Sequence, residues 1–119
     1  MPQPARAQFD LKERTAHFGE AVIEFAQTLP NTAVTRPLIT QLVKAATSIG
    51  ANYCEADDAE SRIDFHHKIG ICKKESSETV HFLRMIRTAV PNAHDQLVGL
   101  SQEAQELHLI FNKIFRNSQ

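Results

Sequence analysis

Residues Lys44–Ile86, KAATSIGANYCEADDAESRIDFHHKIGICKKESSETVHFLRMI, place a run of small residues, an acidic turn and a long 3.6-periodic pattern in direct succession. The run Ala45-Ala46-Thr47-Ser48-Ile49-Gly50-Ala51 is low in bulk, so a neighbouring backbone can come close to it. Gly50 inside a helix costs roughly 1 kcal/mol relative to Ala, and close packing is the usual compensation. The acidic turn Glu55-Ala56-Asp57-Asp58-Ala59-Glu60 ends at Ser61, whose side chain is suited to cap a helix with Asp64 near its positive end. Phe65, Ile69, Cys72, Ser76, Thr79, Leu83, Ile86 and Val90 then recur at helical spacing and stop at Pro91. Two helices joined by a short acidic turn follow from this stretch alone.

Working outward, Leu11, Phe18, Val22, Phe25 and Leu29 fall on one arc of an earlier helix that ends at Pro30-Asn31. Thr35 is the expected cap of the second helix, with Pro37 in its first turn and Leu38, Leu42, Ala45, Ala46, Ile49 and Tyr53 inside. After Pro91, Asn92 with Asp95 repeats the capping pattern, and Leu97, Leu100, Ala104, Leu107, Phe111 and Ile114 line a fourth helix. The expected architecture is all-α, an antiparallel up-down-up-down four-helix bundle in a single domain over residues 1–119, with helices at roughly 9–29, 36–56, 62–90 and 93–116. At 119 residues with 42% hydrophobic content the chain has a core for one domain and no room for a second. No apolar run approaches the ~20 residues that cross a bilayer, and the first residues lack the apolar centre of a secretory signal. Cys54 and Cys72 are read as reduced thiols, so a cytoplasmic location is expected.

The net charge of −1 is not that of a general nucleic-acid binder, but its distribution is uneven. Residues 1–60 hold five Lys/Arg against eight Asp/Glu, whereas residues 61–90 hold six against three. Any polyanion site is therefore local to the third helix. There Arg62, His66, Lys73, Arg84 and Arg87 fall within about 60° of arc beside the core stripe, a basic flank that could follow a phosphate backbone. His66 and His67 would add charge to it below pH ~6.5. A solvated helix flank is the bland alternative.

Ile71, Phe82 and Met85 on the third helix, and Val98 and Leu109 on the fourth, point away from the expected core and suggest self-association. Asn52 lies at the edge of the second core arc, where its amide would bond across to a neighbouring helix and set register. Glu55, Glu75 and Glu78 are its candidate partners. Enzymatic signatures are lacking. A di-iron bundle needs two Glu-x-x-His motifs, and only Glu78-Thr79-Val80-His81 fits, off the core face. No His pair stands at i, i+4, the cysteines lack C-x-x-C spacing, and there is no glycine-rich phosphate loop or nucleophile elbow. No metal, no cofactor and no catalytic residue is expected. A pocket near Asn52 and Glu55 between subunits is the remaining route to catalysis or small-molecule binding.

The sequence resembles the 23S rRNA intervening-sequence protein family over roughly residues 9–116. The resemblance is carried by Leu42 with Ala45-Ala46, by Ser48-Ile49-Gly50-Ala51-Asn52-Tyr53 and Glu55-Ala56, and by Glu60-Ser61, Asp64-Phe65 and Lys68. Lys74-Glu75, Ser76, Glu78-Thr79, Phe82-Leu83 and Glu103-Ala104-Gln105-Glu106-Leu107 complete it, with Phe82 standing where members commonly have Trp. The resemblance implies a small bacterial cytosolic bundle that assembles as a homopentameric ring and is not an enzyme. It also implies likeness to reverse-transcriptase accessory bundles that bind nucleic acid and are strongly basic, which this chain is not. Two roles are consistent with it, a scaffold contacting RNA or a ribonucleoprotein through the basic flank, and a protein-interaction module that never touches nucleic acid.

Overall fold

The computed structural model describes residues 10–119, which form four helices and, among the described residues, no strand. They are α1 (Leu11–Gln27), α2 (Thr35–Asp57), α3 (Arg62–Ala89) and α4 (His94–Asn117). The expected start of the first helix at residue 9 lies outside the described residues. Successive helices pack side by side through short links, so the bundle is antiparallel, with extents of 44 × 34 × 19 Å. The pairs α1/α2, α2/α3 and α3/α4 are closely packed, whereas α1 and α4 touch more sparsely, and a groove of about 630 Å³ runs between them.

Local chemistry sets the helix ends. The Asp10 carboxylate accepts from the Glu13 amide at the start of α1, and at its end the Thr28 hydroxyl turns back to donate to the Phe25 carbonyl. Ser61 caps α3 as its sequence context implies, accepting from the Asp64 amide at 3.0 Å. Two expected caps are corrected. Thr35 is the first residue of α2 rather than its cap: its amide donates to the Thr32 hydroxyl at 3.1 Å while its own hydroxyl accepts from the Thr32 amide at 2.9 Å. This reciprocal pair is a capping box one turn earlier than expected, with Thr in the place usually held by Glu. Before α4, Pro91–Ala93 form a 3₁₀ turn closed by the Ala93 amide on the Val90 carbonyl, and α4 starts with no side-chain cap.

The core combines Phe18, Val22 and Phe25 of α1 with Leu42, Ala46 and Ile49 of α2, Ile69, Cys72, Leu83 and Ile86 of α3, and Leu97, Ala104, Leu107 and Phe111 of α4. Between α1, α2 and α3 the contact surfaces are small. A methyl group on Gly50 would lie 3.2 Å from the Thr15 hydroxyl oxygen, and one on Gly19 would lie 3.7 Å from Thr47. Across the next seam the Cys72 thiol faces the Ile49 carbonyl at 3.5 Å. Buried hydroxyls in these seams bond within their own helices, Thr15 to the Leu11 carbonyl, Ser76 to Cys72 and Thr79 to Glu75. They are thereby satisfied without needing a polar partner across the interface, and the helices close on compact, hydrogen-bonded surfaces. Burial pushes the Cys72 thiol up to about 12, so it remains protonated and inert.

Two glycines should respond to substitution in opposite senses. Gly50→Leu should destabilise by about 1–3 kcal/mol, because the side chain has to displace α1. Gly99, exposed in α4 with nothing within 4 Å of an added methyl, should gain about 0.5–1 kcal/mol as Ala. Urea denaturation of the two variants beside the parent checks both signs.

Candidate nucleic-acid interface

The basic flank of α3 runs along the side that meets α4. Arg62 is exposed in the first turn, Arg84 and Arg87 are exposed near the end, and His66 and Lys73 between them are half-buried. At 1.5 Å per residue, Arg62 and Arg87 stand roughly 37 Å apart along the helix. The middle of the flank is not bare charge. Phe115 of α4 lays its ring edge on Gly70, where a methyl group would meet Cε1 at 3.1 Å. One turn before, His66 stacks on that ring at 4.0 Å between centroids and 21° between planes. One turn after, the Lys73 ammonium stands 4.7 Å over it. Stacking and cation–π attraction thus dock the end of α4 onto α3. His108 reaches the Lys73 carbonyl at 3.2 Å, and His66 reaches the Ser118 hydroxyl at 2.8 Å.

Ion pairing divides the cations into two groups. Arg14 of α1 forks onto Glu103 at 2.7 and 2.8 Å and reaches Glu106 at 2.8 Å across the α1/α4 groove. Both carboxylates raise its already high pKa, the Glu103 hydrogen bond most of all. Lys12 pairs with Asp57 at 3.1 Å and Lys68 with Glu55 at 2.6 Å. By contrast Arg62, Lys73, Lys74, Arg84 and Arg87 on α3, like Arg36, Lys44, Lys113 and Arg116 on the other helices, have no carboxylate at ion-pair distance among the described residues. Shallow grooves flank Phe115 on the same side. One of about 420 Å³ is lined by Lys73, Lys74, Ser77, Glu78 and His108, and one of about 400 Å³ by Arg62, Ile63, His66 and Ser118.

The remaining candidates separate. Asn52 does not bond across to a neighbouring helix; its amide donates to the Ser48 carbonyl one turn back at 2.9 Å. Glu55 is likewise no partner of Asn52, being engaged by Lys68. Glu75 is half-buried and next to Glu78; burial first, then the Glu78 charge, holds its carboxyl above the usual carboxylate range. Among the outward apolar positions, Leu109 is 65% and Val98 38% exposed, Ile71 and Met85 are half-buried, and Phe82 packs against the edge of the core. Ile63 at 85% and Val34 at 62% are more exposed than most of that set and were not singled out by periodicity. Among the described residues no group of three or more His, Cys, Asp or Glu could hold a metal ion, and no helix is long and apolar enough to cross a membrane.

Sequence reading missed Phe115, Gly70, His108, Ser118 and the Arg14 fork. Gly70 carried the one usable signal: a second glycine inside the third helix asks for a large neighbour pressed against it, as Gly50 asks for a small one.

A family model described as 23S rRNA-intervening sequence protein matches residues 7–113. The fold is similar to a crystal structure from Bacteroides thetaiotaomicron VPI-5482, of a protein with unknown function from the S23 ribosomal protein family. Identity is 26% and the TM-score 0.76, over 87% of this chain and 96% of that one. Among curated proteins nothing matches the chain.

Ionised Glu75 opposes folding because its pKa is higher in the folded chain than in the unfolded one. The opposition is present above the folded pKa and relieved as pH falls through it. Glu75→Gln should therefore raise the melting temperature by about 1–3 °C near pH 7, with the difference from the parent closing toward pH 4, as followed by circular dichroism.

Proposed function

Because this chain belongs to the 23S rRNA-intervening sequence protein family, we propose that it is a non-enzymatic cytosolic bundle that contacts RNA or a ribonucleoprotein through the basic flank of α3. The observation that carries the reading is the concentration of cations without an ion pair along one helix, five on α3 against two each on α2 and α4. Lys12, Arg14 and Lys68 are neutralised by carboxylates, while Arg62, Lys73, Lys74, Arg84 and Arg87 stand along α3 without one among the described residues. Unpaired cations along one helix attract a polyanion, and each phosphate contact releases condensed counterions, so the interaction is salt-dependent and insensitive to base sequence. Arg62, Lys73, Arg84 and Arg87 are the phosphate contacts in this reading, and His66 supports the same surface while stacked on Phe115.

Self-association is the second part of the proposal. Leu109 and Val98 are exposed on α4, eleven residues and about three turns apart, so they share a face. With Ile71, Met85 and the rim of Phe82 they supply the apolar surface for a ring of copies, a homopentamer in the family expectation. A ring repeats the weak basic flank several times and raises its affinity for one polyanion through effective concentration. A module docking only a partner protein would use this surface and leave the α3 cations idle.

Two measurements test these parts separately. Lys73→Glu with Arg84→Glu should weaken single-stranded RNA binding at about 50 mM salt at least tenfold and flatten its salt dependence, measured by fluorescence anisotropy. Unchanged affinity overturns the assignment of the flank. Val98→Glu with Leu109→Glu should give a helical protein of smaller mass by light scattering; these exposed positions disturb the fold less than Phe82, which also supports the core. Retention of the full assembly places the interface elsewhere.

A further inference from the structure

Helix α4 holds Lys73 at two points. His108 meets its backbone carbonyl at 3.2 Å, and its ammonium stands 4.7 Å over the Phe115 ring. Arg62, Arg84 and Arg87 of the same flank are exposed, whereas Lys73 is half-buried. An exposed arginine gives up its rotamer freedom when it closes on a phosphate, while Lys73 has lost much of its own on folding. The place of the ring is built into α3. Gly70 leaves a notch between the turn of His66 and the turn of Lys73, where a methyl group would meet Cε1 of Phe115 at 3.1 Å and Cδ1 at 3.6 Å. A glycine inside a helix costs stability, and this close approach is its structural reason. His66 closes the notch one turn earlier, stacked on the ring at 4.0 Å and 21°. It is tied at 2.8 Å to the Ser118 hydroxyl, which donates to the Phe115 carbonyl at 3.0 Å.

We propose that Phe115 is a positioning residue of the RNA interface: seated on Gly70, it holds the Lys73 ammonium in place for a phosphate at the α3/α4 seam. Phe115 and Lys73 line the same groove of about 420 Å³, with Lys74, Ser77 and Glu78 beside them. Two ammonium groups against one carboxylate leave that groove favourable to an anion, and the cation–π contact fixes one of the two without neutralising it. Lys73 is thereby the preorganised contact of the flank and the three arginines are the adaptable ones. The inference rests on the RNA reading of the α3 flank and extends that surface from one helix to two.

Anisotropy of the full chain with a labelled single-stranded RNA over a series of salt concentrations tests it. Phe115→Leu keeps apolar bulk over Gly70 but removes the π face, and Gly70→Leu keeps Phe115 but fills its notch with a better helix former. Neither changes a charge. Each should nonetheless weaken binding about three- to tenfold at about 50 mM salt and lower the slope of log affinity against log salt by about 0.7, the share of one phosphate contact. Phe115→Tyr keeps the face and should stay within about twofold of the parent. In a Lys73→Gln background Phe115→Leu should change affinity by less than about twofold, because it acts through Lys73. Parent affinity in Phe115→Leu, tighter binding, or an undiminished loss in the Lys73→Gln background overturns the positioning role and leaves RNA binding standing. No binding by the parent at the lowest salt overturns both. Should Phe115→Leu lose helicity by circular dichroism, Gly70→Leu decides by the same affinity and slope, and parent values in it overturn the role.

Discussion

Close approach of α2 to both its neighbours is the constraint on which the rest of the structure depends. Gly50 against Thr15 on one side and the Cys72 thiol against the Ile49 carbonyl on the other leave no space for a branched apolar side chain. Tight seams raise the number of dispersion contacts per residue, which compensates for the small area that Ala, Gly, Ser and Cys bury. They are also intolerant of register shifts, since moving α2 by one residue brings Ile49 to the place that Gly50 holds against Thr15. Three helices are thereby fixed as a unit before α4 is considered.

The fourth helix is attached by different chemistry. Its inner face buries Leu97, Ala104, Leu107 and Phe111 in the shared core, but its edges are tied by long polar and aromatic side chains. Phe115 reaches α3 between His66 and Lys73, and Arg14 reaches over from α1 to Glu103 and Glu106. A forked guanidinium spans a distance that a small-residue seam cannot, and so the α1/α4 side remains open as a groove. The division explains why the α3 flank is only partly free: the same side of α3 both receives α4 and presents cations to solvent.

The legible parts of the fold were those written in local spacing. The stripes through Phe18 and Val22, Leu42 and Ile49, Ile69 and Leu83, and Leu107 and Phe111 repeat at helical period, and each is buried. Ser61 announced its helix because a cap, an acid at the third position and the apolar run are adjacent in sequence. The Thr32–Thr35 box was missed because Thr replaces the Glu that marks the motif, and the 3₁₀ turn at Pro91 because it has no side-chain signature. Contacts between distant segments were out of reach: Arg14 and Glu103 are 89 residues apart, and nothing in the neighbourhood of either names the other. For the candidate interface, helical spacing placed the five basic residues on one flank, while the split between charges engaged by Phe115 and charges left free depends on how α4 docks.

The Cys72 thiol has a consequence for kinetics. It is sealed between α2 and α3 and held protonated, while Cys54 on α2 lies in solvent. A thiol reagent meets Cys54 at once but reaches Cys72 only during openings that part the two helices, so the ratio of the two modification rates gives the fraction of time that seam is open. The chain thus carries a native pair of reporters, one setting the chemical rate and the other counting excursions of the α2/α3 seam.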